Sequence, residues 1–200
     1  MKVKMIAALA AFAMCFSMTV IFADDMSAND KAMQEEMMKK WMAYSTPSDA
    51  HKTMAGMVGT WDTVIKDYTN PAGPTETKGT STFSAILDGR FIQESAEGSY
   101  MGMPFHGMGT FGYDNTMKKY VGTWVDNMGT GIMTSWGSSD DGGKTINWNS
   151  KGTDPMSGAE MSVRSAMHMM SNDQYHFEMY GPGMDGKEMK MMEITYNRRK

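Results

Sequence analysis

The feature that most constrains this chain is how regularly it turns. From Gly59 onward, short stretches of β-branched and aromatic residues alternate with clusters of Gly, Pro, Asn and Asp. Turn signals recur every ~8–15 residues with no helical periodicity between them, which is the pattern of an all-β protein. The clearest unit is residues 101–131, a hairpin with a glycine-rich approach and a turn at Asp114-Asn115. In its second strand Tyr120, Gly122, Trp124 and Asp126 share one face, and Val121, Thr123 and Val125 share the other. Strict alternation of this kind places one face of a strand against a core.

Strand signals also cover Thr60–Tyr68, Thr77–Leu87, Arg90–Ala96, Ile132–Trp136, Thr145–Asn149, Met161–Met170, Gln174–Tyr180 and Glu188–Asn197. A run of about 8–10 such strands predicts an antiparallel up-and-down meander, closed into a barrel so that no long edge is left exposed. In the last strand, Met189 and Met191 share one phase while Met192, Ile194 and Tyr196 share the opposite one. That break predicts a β-bulge.

Ahead of the barrel, Ser27 to Tyr44 has helical spacing, with Met33, Met37, Met38, Trp41 and Met42 on one stripe and Ser27-x-x-Asp30 as a cap. The stripe predicts an amphipathic helix that covers a sheet, and the mixed charge of its polar face argues against a membrane-surface helix. Ser48 to Met57 suits a second, short helix. Before these, Lys2 and Lys4, the apolar run Met5–Phe22, and Ala23 followed by Asp24-Asp25 form the pattern of a secretory leader cut after Ala23. A retained membrane anchor competes with this reading, and the small residue at the boundary and the acidic start favour cleavage. The expected organisation is a leader over 1–23, a helical segment over 24–47 and a barrel domain over 48–200. The mature protein is then periplasmic or secreted, without stable membrane insertion.

The single cysteine, Cys15, falls inside the leader, so the mature chain has no disulfide and no thiolate chemistry. The net charge of −4, with no basic cluster except Arg198-Arg199-Lys200, makes nucleic acid a poor partner. The compositional anomaly is methionine, with 27 residues spread over the whole chain. That dispersal suits a filler of irregular core gaps better than a local ligand set.

Several motifs, taken in order, resemble one family. They are Gly59-Thr60-Trp61, Leu87-Asp88-Gly89-Arg90-Phe91, Met103-Pro104-Phe105-His106-Gly107, Gly112-Tyr113-Asp114-Asn115, Lys119 through Asp126, Asp154-Pro155 with Gly158, and Ile194-Thr195-Tyr196-Asn197-Arg198. Over about residues 48–198 the chain resembles the DUF1579 family of bacterial proteins. The resemblance implies a calycin-like barrel, similar to lipocalins, and implies no activity or site residues. Calycin barrels begin with a Gly-x-Trp strand whose indole packs beneath an arginine of the last strand. The resemblance therefore implies closure by Trp61 with Arg198 or Arg199.

The interior of such a barrel holds either packed side chains or one small ligand. The aromatic candidates for lining it are Tyr120, Trp124, Trp136 and Trp148, and the polar candidates are Arg90, Glu94 and Arg164. No nucleophile elbow, phosphate loop or zinc motif appears, and residues 107–112 fit G-x-G-x-x-G only by running through a hairpin. The leading expectation is an exported barrel that binds a small apolar or amphipathic molecule without a cofactor and without transforming it. One alternative is copper handling by Met101, Met103, His106 and Met108 on a flexible glycine-rich segment, since thioether and imidazole suit Cu(I). Another is a hydrolase or isomerase whose carboxylates meet only in the fold.

Overall fold

The fold is known from a computed structural model, which describes residues 27–183 and 185–200. The chain forms two compact units, the first ending at Ser45 and the second running from Thr46 to Lys200. The leader expected over 1–23 lies outside the described residues. In the first unit, α1 (Ala28–Ser45) starts at Ser27, whose Oγ accepts the backbone N–H of Asp30 at 3.2 Å. The helix has the predicted span and no buried residue. Its stripe of Met33, Met37, Met38, Trp41 and Met42 is exposed.

The second unit begins with α2 (Asp49–Ala55) and continues as ten strands. These are β1 (Gly59–Asp67), β2 (Thr75–Ile86), β3 (Phe91–Tyr100), β4 (Met103–Asp114), β5 (Lys119–Asp126), β6 (Met133–Ser138), β7 (Thr145–Thr153), β8 (Glu160–Ser171), β9 (Gln174–Pro182) and β10 (Glu188–Arg198). Each pairs antiparallel with its neighbour in sequence, and β1 pairs with β10 from Trp61↔Arg198 to Asp67↔Met192. The result is a closed barrel, in which every strand finds two partners and no edge remains. The register of β9 and β10 slips between Lys190 and Met192, which is the bulge expected from the phase break.

Closure fixes which phase faces inward. In β1 the inward residues are Trp61, Thr63 and Ile65; in β3 they are Ile92 and Glu94; in β10 they are Ile194 and Tyr196. Two indoles need backbone cleared in front of them. A Cβ on Gly107 would lie 2.3 Å from the Trp124 ring, and one on Gly137 would lie 2.9 Å from Trp148. Glycine at these positions is therefore what lets both rings lie flat against the inner wall.

One end of the barrel is floored by α2. The Ser48 backbone N–H donates to His51 Nδ1 at 2.9 Å and so orients the buried imidazole at the helix start. Met54 of this helix joins Trp61, Phe83, Ile92, Tyr120, Ile146, Trp148, Tyr175 and Tyr196 in one core cluster. Strand connections at the opposite end, such as residues 68–74 and 101–102, surround the mouth.

Candidate functional site

Above this floor the barrel is hollow. A cavity of about 290 Å³ lies next to α2, and a second of about 770 Å³ opens toward the mouth. Glu94, Trp124, Met192, Ile194 and Tyr196 line both, so the two adjoin at that level. The inner cavity has apolar walls that include six methionines, Met54, Met57, Met133, Met167, Met179 and Met192. Unbranched thioether side chains fill irregular space and repack readily, which suits a wall that must adapt to an occupant.

At the junction sits one buried carboxyl. Glu94 is 4 % exposed, and Ser81 Oγ donates to its Oε1 at 2.7 Å. The Tyr196 hydroxyl lies beside it. Burial pushes the Glu94 carboxyl up to about 7, opposed by the hydroxyls of Ser81 and Tyr196, which favour the ionised form. Burial, with the neighbouring Glu94, also holds the Tyr196 hydroxyl well above its ordinary range. Ser81 and Glu94 face each other across the β2–β3 hairpin, and Tyr196 of β10 reaches them because the barrel closes. Ser81 and Tyr196 are absent from the sequence-based candidates. Their inward phase follows from Phe83 in β2 and from the Trp61↔Arg198 register in β10, but neither residue is distinctive as a sequence feature.

The candidates drawn from the sequence separate into two groups. Glu94, Trp124 and Trp148 line the interior. Tyr120 is inward and buried but packs in the floor, its ring 6.0 Å from that of Trp148 and 5.0 Å from that of Tyr113. Trp136, Arg90 and Arg164 do not belong to the interior. Trp136 is 39 % exposed because Ser135 and Gly137 take the inward phase of β6. Arg90 lies in the β2–β3 turn, its Nη1 3.6 Å from Asp88. Arg164 is on the outer face, where it holds Glu188 through two hydrogen bonds of 2.6 and 2.7 Å and stacks over Tyr180.

Arg198 lies over the Trp61 indole with its Cζ 4.1 Å from the ring centroid. Its guanidinium donates to Gly56 O and Val58 O at 2.7 Å and to Asn172 O at 2.9 Å. Arg199 instead reaches outward to Asp62 and Thr80.

Of the proposed copper ligands, Met103 belongs to β4 and not to a flexible segment, and it pairs with Tyr100. It shares the phase of Phe105, whereas His106 and Met108 are exposed on the opposite phase, and Met101 sits in the turn. Side chains on opposite faces of a strand cannot converge on one ion. His176, Glu178 and Glu193 do cluster on the outer surface. Lys190 Nζ already lies 2.5 Å from Glu178 and 3.2 Å from Glu193, so a cation there would have to displace an ammonium.

The family described as "Protein of unknown function (DUF1579)" matches residues 46–198. The chain belongs to the DUF1579 family. No curated protein matches it. Two solved structures share the barrel of this DUF1579 protein. Rv2717c from M. tuberculosis superposes with a TM-score of 0.56 at 13% identity, over 78% of this chain and 100% of its own. The S-type phycobiliprotein lyase CPES from Guillardia theta superposes with a TM-score of 0.53 at 11% identity, over 80% of this chain and 96% of its own. At such identities the likeness is one of fold.

Proposed function

We propose that this DUF1579 protein is a carrier or receptor for a small, partly apolar molecule, held inside the barrel and not chemically transformed. The observation that carries this reading is the hollow interior, apolar around its inner part and furnished with a buried carboxyl at mid-height. Sites for small organic molecules combine just such walls with a few placed polar groups. A fold shared with a phycobiliprotein lyase is in keeping with an interior that receives an organic group. Catalysis would need a nucleophile or an acid–base pair poised over the bound molecule. We read Glu94, which accepts from Ser81 beside the Tyr196 hydroxyl, as a recognition group.

The protein is further proposed to act outside the cytoplasm, on the strength of Lys2, Lys4, the apolar run to Phe22 and the small Ala23. Native mass spectrometry of protein purified from its own host tests the binding role. A retained organic mass that is lost on denaturation is expected. An empty barrel that also takes up no apolar probe refutes the reading.

A further inference from the structure

We propose that the interior selects an organic cation, an apolar and preferably aromatic amine whose ammonium is held by Glu94 beside the Trp124 ring. This inference rests on the ligand-binding reading above and narrows it to one chemical class.

The first observation is the sign of the wall. No Lys, Arg or His is among the described residues that line either cavity. The inward carboxyl side chains there are Asp67, Glu94 and Asp126, supplied by β1, β3 and β5. Asp67 and Asp126 end their strands at the mouth, whereas Glu94 lies deeper, where the two cavities adjoin. A cation entering from the mouth thus meets acidic groups along its path, while an anion meets no compensating charge.

The second observation is the register around Glu94. Glu94 pairs with Gly109, and Gly109 pairs with Trp124, so the carboxyl and the indole share one rung across three strands. The Trp124 ring lies across Gly107 and Gly109, on the side of its strand that faces β3. Its Nε1 donates to Asp126 Oδ2 at 2.9 Å, which fixes the ring and leaves the indole face to the cavity. An ammonium in this position gains a carboxylate as counter-ion and an aromatic face, the two interactions that recognise desolvated organic cations.

The third observation concerns what Glu94 has left to offer. The Ser81 hydroxyl occupies one acceptor site of a carboxylate that has about four, and the Tyr196 hydroxyl lies beside it. The remaining sites can take N–H donors from a ligand. An ammonium also supplies the charge partner that an ionised carboxyl in an apolar wall otherwise lacks.

Three probes of nearly one shape separate the outcomes: 1-naphthylmethylamine, 1-naphthalenemethanol and 1-naphthoate, titrated into the full chain by calorimetry at pH 8. The amine is expected to bind at least about tenfold tighter than the alcohol, and the acid weakest. The amine's advantage over the alcohol should shrink about tenfold from pH 8 to pH 6 as Glu94 takes up its proton. Glu94→Gln should bring the amine-to-alcohol ratio close to one. If that variant does not fold, the pH dependence of the parent decides. Binding of alcohol or acid as tight as that of the amine overturns the cation assignment and leaves the ligand-binding reading standing. No binding of any probe overturns both. An amine preference that survives Glu94→Gln, or that does not change with pH, overturns the role given to Glu94.

Discussion

Arg198 lies over Trp61 at 4.1 Å, and the same guanidinium ties down the carbonyls of Gly56 and Val58 in the link between α2 and β1. One side chain of the last strand therefore joins the seam of the barrel to its floor. The Trp61 Nε1–H donates to Met57 O at 2.8 Å, so the indole beneath the arginine is anchored to the same link.

Trp61 is fully buried, so Trp61→Ala should cost ~3–5 kcal/mol, the range for emptying a large aromatic site. Arg198→Lys keeps the charge but loses the planar fork that reaches three carbonyls, and should cost ~1–3 kcal/mol. Urea unfolding of both variants checks this. A loss below about 1 kcal/mol for Trp61→Ala would show that the seam does not depend on the indole.

Stability should fall as pH rises through the range that Glu94 titrates. Its carboxyl is raised from 4.5 to about 7 on folding, so between these values the native state holds a proton that the unfolded chain has released. The contribution is absent below pH 4.5, grows between the two values and is complete above about 7. Its full size is on the order of 3 kcal/mol. Glu94→Gln removes the charge, so its stability relative to the parent should rise by that order between pH 4.5 and pH 8. An unchanged difference across this range would mean that Glu94 does not titrate in an apolar wall.

The methionines are read as wall and core material. Met167→Leu and Met169→Leu should each change stability by less than ~1.5 kcal/mol, because Leu and Met have similar volumes. Met101→Leu combined with His106→Ala should leave Cu(I) affinity unchanged, as measured against a competing chelator. Tight one-to-one binding that this pair of substitutions abolishes would contradict the reading.

Much of the barrel was readable from the sequence because its signals are local. Asp114-Asn115, Asp88-Gly89 and Asp140 to Gly143 mark turns by their own chemistry, and the break between Met191 and Met192 marks the bulge. The phase of β5 was readable in the same way, and with it the inward position of Trp124. Trp136 was not, because β6 offers only six residues and its inward phase is set by pairing Gly137 with Trp148. Glu94 was among the polar candidates, but its partners Ser81 and Tyr196 were out of reach for a different reason. Ser81 and Glu94 meet across the β2–β3 hairpin, 13 residues apart, but Tyr196 joins them only through barrel closure, which nothing local to any of the three signals.

Export has a direct chemical test. N-terminal sequencing of the mature protein from its own host should begin at Asp24 or within a few residues of it, since Ala23 is the small residue that follows the apolar run. An intact Met1 on membrane-bound protein would restore the anchor.

The central claim is that the barrel interior is a binding site, and its methionines are built-in reporters for it. With methyl-¹³C methionine, a titration with 1-naphthalenemethanol should shift the signals of Met54, Met57, Met133, Met167, Met179 and Met192, which line the inner cavity. Met117, Met156 and Met170, exposed on the outside, should stay in place. Saturable shifts confined to the first group are the predicted result. Shifts confined to the outer methionines, or none at saturating probe, would contradict the account.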